Sequence, residues 1–176
     1  MRACAAAGDE VVAVARSGPV AVDLLDAAAV RDAVARAAPA VVYHLAALAH
    51  VGRSWRDPRT TLADNQTMTV NLLEAVRGVA PEAVVVAVSS GEVYGPPAAL
   101  PVDESAPLRP QNPYAVSKAA SDLLAGFYAD AHRLRVVRAR PFNHAGSGPR
   151  PPRVRPRPDG RTRRARRSAA GPARRG

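Results

Sequence analysis

Short, valine-rich runs alternate with longer stretches of helical spacing along most of this sequence, and this alternation is what most constrains its fold. Short β-branched runs are typical of buried strands, whereas apolar residues spaced by about one turn indicate helices. The pattern predicts strands at residues 10–15, 40–46, 83–89 and 134–140, and helices at 27–38, 61–77 and from 114 to about 132. Such alternation forms βαβ units. We therefore expect an α/β fold with a doubly wound parallel sheet and helices on both faces.

Candidate site residues follow three of these predicted strands. They are Ala46 and Ala47 at the end of the second strand, Ser89 and Ser90 at the end of the third, and Pro141, Phe142 and Asn143 after the fourth. Ligands of open parallel sheets bind outside the carboxyl ends of the strands. We expect these residues to form one site, beside a helix that begins near Tyr114.

The most specific local pattern is a tyrosine four residues before the only lysine of the chain, Tyr114 and Lys118. Asn112 suits a helix N-cap and Pro113 the first helical position, so the pair is expected on one helical face. An ammonium near a phenol lowers the phenol pKa and permits proton exchange near neutral pH. Ser90 is the candidate for holding the reacting oxygen. The alternative is that Tyr114 packs at a core edge while Lys118 is solvated.

The charge of the chain separates a neutral body from a basic tail. Of the 25 basic residues, 11 lie in residues 150–176 with one acid, whereas residues 1–149 hold 14 of each sign. The tail is rich in arginine and proline and poor in apolar residues, so we expect it to be disordered. Clustered arginines bind phosphates nonspecifically, and nonspecific nucleic-acid binding by the tail is an alternative function. The absence of aromatic residues from the tail argues against base stacking.

Other functional classes find little support in the composition. At 176 residues, the chain has the length of one domain. Cys4 is the only cysteine, which excludes an internal disulfide and fits a reducing compartment. No apolar run approaches the roughly 20 residues of a membrane span, and no signal-peptide pattern is seen. No His/Cys/Asp cluster has metal spacing. We expect a cytoplasmic protein without a metal.

Together, the motifs resemble those of the NAD(P)-dependent nucleotide-sugar epimerase/dehydratase family, which belongs to the extended short-chain dehydrogenases/reductases. Tyr114-Ala-Val-Ser-Lys118 is similar to the family's Tyr-x-x-x-Lys, and the segment from Ser89 to Gly95 is similar to its third catalytic loop. The other matching segments are Asp23-Leu24, His44-Leu45-Ala46-Ala47, Asn65 with Thr69, where Met68 replaces a glycine, and Arg140-Pro141-Phe142-Asn143-His144. The resemblance covers about residues 8–149 and implies a Rossmann-like domain over residues 1–149.

The resemblance also implies roles for individual residues. Ser90, Tyr114, Lys118 and Glu92 are implied to be catalytic. The implied cofactor contacts are Asp23, Leu24, Leu45, Ala46, Ala47, Ser89, Tyr114, Lys118 and Pro141, and the implied substrate contacts are Ser90, Glu92 and Asn143. The expected cofactor is NAD or NADP. Arg16 stands near the position where NAD-specific relatives keep an aspartate, which favours NADP, with a solvated loop arginine as the alternative.

Within that family, residues 50–55 and 140–144 are most similar to enzymes acting on GDP-mannose and its 4-keto-6-deoxy product. Glu92 stands where the 4,6-dehydratases keep a base for water elimination, but Gly91 replaces their usual Asp or Ser. That replacement favours a 4-keto reductase or an epimerase. Trp55 is expected either to approach a sugar or to plug its loop. Members of the family are often homodimers.

Two departures from the family shape further expectations. Its first strand and Gly-x-x-Gly-x-x-Gly loop would precede residue 1, and that loop supplies the main anion site for the cofactor. Beyond Gly148 the family pattern gives way to the arginine-rich tail. We therefore expect an incomplete sheet in a truncated and frameshifted product, and an inactive fragment or pseudoenzyme is an alternative reading.

Overall fold

The computed structural model describes residues 2–17, 20–97 and 99–143. The elements in chain order are α1 (Arg2–Ala6), β1 (Val14–Ala15), β2 (Val20–Ala21), α2 (Ala27–Ala37), β3 (Val41–His44), α3 (Val51–Arg56), α4 (Pro58–Val79), β4 (Val84–Val88), a 3₁₀ turn (Gly91–Tyr94), α5 (Pro113–His132) and β5 (Arg135–Ala139). The prediction of a disordered tail at 150–176 and the motif residue His144 lie outside the described residues.

All strand pairings among the described residues are parallel, which confirms the predicted α/β class. β3, β4 and β5 form one sheet in that order, with Val42 beside Val85 and Val85 beside Val136. β1 pairs with β2 in a second sheet of two strands. The prediction of one sheet thus differs from the two sheets observed, and β2 was not predicted because a run of two residues gives no strand signal.

The main hydrophobic core lies between the three-stranded sheet and three helices, α2, α4 and α5. Its fully buried members include Val30 from α2, Leu73 and Val76 from α4, and Val85 from β4. α4 packs against both α2 and α5, so the longest helix is the centre of the helical layer. This layer fixes α5 across the sheet and thereby sets the position of Tyr114 and Lys118.

The opposite face of this sheet is open in the part of the chain that the structure describes. Val41, Tyr43 and Val137 alternate with core residues along their strands and are about half exposed. The expectation of helices on both faces therefore differs from what is observed there. The prediction of a buried strand at residues 10–15 is wrong, because β1 pairs only with β2 and leaves Val11, Val12 and Val14 exposed.

Helix boundaries follow the capping signals with one correction. Asn112 caps α5 by accepting the Ala115 N–H at 2.8 Å, and Pro113 is the first helical residue, as predicted. The expected loop around Gly52 and Trp55 is instead a short helix, α3. Its cap is His50, whose Nδ1 accepts the Arg53 N–H at 3.1 Å. Histidine is not among the preferred N-cap residues, so this signal was not recognised.

One glycine is required by the fold beside the site. Gly95 ends the 3₁₀ turn with φ of 61°, in the region that favours glycine, and a Cβ there would collide with the Arg109 carbonyl.

Over residues 2–17, 20–97 and 99–143, no helix has both the length and the apolar character to cross a membrane.

Candidate active site

The candidate site lies where β3, β4 and β5 end and α5 begins. The segments after β4 and β5 remain tied together beyond the strands: Ser89 donates its N–H to the Ala139 carbonyl at 2.7 Å, and Gly91 donates to the Pro141 carbonyl at 2.8 Å. Ser90 and Glu92 therefore extend from a backbone that is anchored on its neighbouring strand. The residues predicted at the ends of these three strands share one edge of the sheet.

Lys118 is buried, which contradicts the alternative of a solvated lysine. Lys118 is only 6 % exposed, and its Nζ donates a hydrogen bond to the carbonyl of Val88, the last residue of β4. Burial lowers the pKa of the Lys118 ammonium, and Asp122 opposes this effect by favouring the charged form. The contact joins α5 directly to the carboxyl end of the central strand.

The Ser90 hydroxyl lies near the Tyr114 phenol at the mouth of the site, close enough to affect its pKa. Partial burial raises the pKa of the Tyr114 phenol above its ordinary value, the nearby Ser90 hydroxyl acts in the opposite direction, and the Glu92 carboxylate raises it further. The expected lowering of this pKa by Lys118 is wrong for this structure. The reason is geometric, because the Lys118 ammonium is directed at the Val88 carbonyl.

Glu92 is exposed and is held at the N-terminus of α5 by Asn112. Its Oε2 accepts a hydrogen bond from Asn112 Nδ2 at 2.8 Å, and its own N–H donates to Ser90 Oγ at 3.2 Å. Asn112 thus uses its oxygen to cap the helix of Tyr114 and its nitrogen to hold the carboxylate beside Tyr114.

Substitutions of Asn112 separate these two tasks. Asn112→Asp and Asn112→Ser keep a capping oxygen, whereas Asn112→Ala removes it and is expected to destabilise the domain by about 1 kcal/mol. Asn112→Asp places a second carboxylate near Tyr114 and is expected to raise the Tyr114 pKa above that of the wild type. Asn112→Ser removes the amide that holds the Glu92 carboxylate and is therefore expected to lower the Tyr114 pKa below that of the wild type. Titration of ¹³C-labelled tyrosine by NMR measures both pKa shifts. Shifts of the same sign would contradict the conclusion that Asn112 holds the Glu92 carboxylate beside Tyr114.

A buried polar network supports the site from behind. Leu48, in the loop after β3, donates its N–H to Asn65 Oδ1 at 2.7 Å, and Asn65 Nδ2 donates to Ser117 Oγ at 2.8 Å. Ser117 in turn donates to the Tyr114 carbonyl at 2.7 Å. Asn65 therefore couples the end of β3 to the first turns of α5, consistent with the structural motif to which it was assigned.

His44 is buried at the end of β3, against Thr69 of α4. Its Nε2 lies 3.2 Å from Thr69 Oγ1. Burial, followed by the charge of Lys118, lowers the pKa of His44 to about 4. The imidazole is therefore neutral at physiological pH. Among the described residues, no three His, Cys, Asp or Glu side chains are grouped so as to hold a metal ion.

The residues expected to contact a cofactor fall into two groups. Leu45 and Ala46 are exposed at the end of β3, with Ala47 half-buried beside them. Ser89 is buried and donates its hydroxyl to the Lys118 carbonyl at 3.3 Å, while Pro141 is partly buried. These five residues lie at the C-terminal ends of the strands, where Tyr114 and Lys118 also lie.

The second group lies at the two-stranded sheet. Arg16 and Asp23 are exposed, with 4.0 Å between Arg16 Nη2 and Asp23 Oδ1. Leu24 packs on the main core, and its carbonyl accepts from Asn71 of α4 at 2.9 Å. These three residues are therefore not joined by strand pairing to the edge that carries Tyr114.

Three further residues bear on the sequence predictions. Asn143, expected at the substrate, is exposed just beyond β5. Trp55 is 63 % exposed, so it does not plug its loop. Sequence reasoning missed Asp122, a fully buried carboxylate that pairs with Arg140. The available signal was the four-residue spacing, since Asp122 follows Lys118 as Lys118 follows Tyr114.

A parallel α/β sheet with these residues at its carboxyl edge defines a protein of the Rossmann class. Residues 10–157 match the family model of GDP-mannose 4,6-dehydratase. The GDP-6-deoxy-D-mannose reductase of Pseudomonas aeruginosa is 43 % identical over 112 residues, which are 62 % of this chain and 37 % of that protein. This chain belongs to the GDP-mannose 4,6-dehydratase family of NAD(P)-dependent nucleotide-sugar dehydratases, epimerases and reductases.

Solved structures give the same class. The structure of RMD from P. aeruginosa complexed with NADPH has a TM-score of 0.67 and 40 % identity, covering 73 % of this chain and 43 % of that one. UDP-glucose 4-epimerase of Thermus thermophilus in complex with NAD has a TM-score of 0.70 and 34 % identity, covering 79 % and 49 %. The chain thus spans little more than a third of the curated reductase and less than half of each solved chain.

Proposed function

We propose that this chain carries the catalytic half-site of an NAD(P)-dependent enzyme that transfers hydride at a sugar carbon of a nucleotide sugar. The observation that carries the proposal is the proximity of the Ser90 hydroxyl to the Tyr114 phenol, with Lys118 buried one turn further along α5. Two hydroxyls that meet at the carboxyl edge of a parallel sheet can bind one sugar oxygen between them.

In this proposal Tyr114 is the proton donor and acceptor. Its raised pKa keeps the phenol protonated at neutral pH, so that it donates a proton to the sugar oxygen as a ketone is reduced. Ser90 holds the same oxygen, and Lys118, one turn further along α5, contacts the nicotinamide ribose of the cofactor in this proposal. Glu92, fixed by Asn112, adds a carboxylate beside Tyr114.

The described residues fit the nicotinamide and ribose half of the cofactor, which supplies hydride when bound. The Tyr114 hydroxyl and Lys118 ammonium can bind ribose hydroxyls, and the exposed Leu45 and Ala46 leave an open apolar surface at the adjacent strand end. Support for NADP over NAD comes from Arg16. Its side chain is 70 % exposed and loosely paired with Asp23, which leaves it available to a ribose phosphate.

For the substrate we propose a GDP-hexose or its 4-keto-6-deoxy derivative, with reduction or epimerisation favoured over water elimination. The support is Gly91, which contributes no proton-handling side chain. A Cβ there would lie 2.7 Å from the Phe142 ring, so this ring would have to move for any other residue to fit. Asn143 is proposed to contact the sugar. The single cysteine supports a cytoplasmic location, and the family resemblance supports a homodimer.

An inactive family fragment is the second candidate, and the open face of the sheet favours it. Exposed Val41, Tyr43 and Val137 are unusual for a parallel sheet, because both faces of such sheets are normally covered. Nonspecific nucleic-acid binding by residues 150–176 also remains a proposal, and it lies outside the described residues.

For the 176-residue chain we expect weak cofactor binding. The sequence has no Gly-x-x-Gly-x-x-Gly segment to surround the pyrophosphate. Each charge-assisted hydrogen bond lost there costs about 1.5–3 kcal/mol, so two or three losses weaken binding by several powers of ten. Calorimetric titration with NADP and NAD measures this directly. Micromolar affinity for either cofactor would contradict the expectation.

The activity itself is best tested in a graft. Residues 10–143 replace the matching segment of the P. aeruginosa GDP-6-deoxy-D-mannose reductase, which supplies the remaining parts. Oxidation of NADPH with the 4-keto-6-deoxy sugar nucleotide is then followed by absorbance. A folded graft that binds NADPH without turnover would overturn the proposal and support the inactive fragment.

A further inference from the structure

A buried carboxylate lies directly behind the candidate site, on the helix that carries Tyr114 and Lys118. The Asp122 side chain is fully buried and accepts two hydrogen bonds from one arginine: Arg140 Nε donates to Oδ2 at 2.9 Å and Nη2 donates to Oδ1 at 2.8 Å. Arg138 Nη1 also donates to Oδ1, at 3.2 Å. The fork of Arg140 is thereby fixed in its plane, as is typical of a bidentate pair.

The third nitrogen of Arg140 reaches two other segments. Its Nη1 donates to the Tyr94 hydroxyl at 2.9 Å and to the Glu104 carbonyl at 3.1 Å. The guanidinium carbon is also 5.4 Å from the centre of the Tyr94 ring. Because Tyr94 ends the 3₁₀ turn Gly91–Tyr94, one partly buried guanidinium joins α5, this turn and the loop before α5.

The turn that Arg140 contacts follows Ser90 directly and contains Glu92. The Tyr94 ring also stacks on Phe142, with 6.2 Å between ring centres, and Gly91 is bonded to the Pro141 carbonyl. The Ser90 hydroxyl lies near the Tyr114 phenol at the N-terminus of α5. Arg140 contacts the turn that follows Ser90, and it also binds Asp122, two turns further along the same helix. The contacts of Arg140 on one side of the turn and of Gly91 with Pro141 on the other therefore constrain the distance between the Ser90 and Tyr114 hydroxyls.

We propose that Arg140 is a positioning residue: clamped by Asp122, it fixes the turn that carries Ser90 and Glu92 against the helix that carries Tyr114 and Lys118. Its catalytic meaning rests on the function proposed above, whereas the clamp itself does not. The three-way contact requires an arginine, because lysine has a single nitrogen and cannot bind the carboxylate bidentately while reaching Tyr94. The ion pair raises the pKa of Arg140 further, so the clamp stays charged.

Arg138 provides the matched control. It pairs with the same oxygen of Asp122, but its hydrogen bond to Asp122 does not involve the 3₁₀ turn, and its side chain is 43 % exposed. The test compares Arg140→Lys, Tyr94→Phe and Arg138→Gln in the 176-residue chain. Tyr94→Phe removes a single hydroxyl and keeps the ring stacked on Phe142, so it carries the test if Arg140→Lys does not fold.

Two measurements are made on each variant. The first is hydrogen–deuterium exchange of the Gly91 and Val93 amides by NMR, which we expect to accelerate about tenfold in Arg140→Lys and Tyr94→Phe. The second is the titration of Tyr114, whose pKa is expected to move towards its ordinary value in both variants as the turn loosens and Tyr114 becomes more solvated. Arg138→Gln is expected to leave the exchange within about twofold and the titration unchanged.

Each outcome decides the inference. Equal effects of Arg138→Gln and Tyr94→Phe would mean that the ion pairs only stabilise the fold, and would overturn it. Unchanged exchange and titration in a folded Tyr94→Phe variant would overturn it as well. Neither measurement depends on turnover, so failure of the clamp and failure of the proposed enzymatic function are distinguished.

Discussion

Replacing Tyr114 by phenylalanine in the reductase graft is expected to lower kcat by about 10²–10⁴-fold, the usual contribution of a positioned proton donor. The substitution removes the oxygen that meets Ser90 and leaves the ring, so the packing of α5 is retained. Binding of NADPH is expected to weaken only by about one hydrogen bond, roughly 0.5–1.5 kcal/mol, because the buried Lys118 remains in place. Stopped-flow absorbance with the 4-keto-6-deoxy sugar nucleotide gives the rate of the chemical step.

Tyr43→Phe is the control for this experiment. Tyr43 belongs to the same grafted segment but is 58 % exposed on the open face of the sheet, away from the carboxyl edge. We expect it to leave kcat within about twofold. If Tyr114→Phe and Tyr43→Phe reduced turnover equally, Tyr114 would have no role as a proton donor.

Replacing Asp122 by alanine is expected to lower the free energy of unfolding by about 3–5 kcal/mol. The substitution leaves Arg140, whose side chain is only 12 % exposed, without its counter-charge, and it removes the acceptors of three hydrogen bonds. Domains of this size are stable by only about 5–15 kcal/mol, so the substitution is expected to remove a large part of the free energy of unfolding. Urea denaturation followed by circular dichroism measures the change.

Asp130→Ala provides the comparison on the same helix, because Asp130 is exposed. Its expected effect is within about 0.5 kcal/mol. A loss below about 1 kcal/mol for Asp122→Ala would show that solvent or a rearranged neighbour replaces the carboxylate.

The helix that carries the site could be read from the sequence because its determinants are local. An asparagine cap, a proline at the first helical position and a tyrosine one turn before a lysine fix both the start of α5 and the face that Tyr114 and Lys118 share. The strands β3, β4 and β5 were predicted near their observed positions for a similar reason, since valine runs have few alternatives in an α/β chain.

Contacts between distant residues could not be read in the same way. The pKa of Tyr114 was predicted in the wrong direction because the partner of Lys118 is a backbone carbonyl 30 residues away, which no local spacing reveals. Asp122 was missed because its partner, Arg140, lies just after β5. The exposure of residues 10–15 depends on which elements cover them, and hydrophobicity alone does not report that.

The spacing of α5 affects how this chain can tolerate genetic change. Tyr114, Lys118 and Asp122 follow one another at four-residue intervals, and each makes its contact with a different segment. An in-frame insertion of one codon between Tyr114 and Lys118 rotates everything downstream by about 100° relative to Tyr114. One insertion would thereby separate the phenol from both the ammonium and the carboxylate, although no amino acid had been replaced. Deep mutational libraries of this helix should therefore show codon insertions to be more damaging than nearly all of its substitutions.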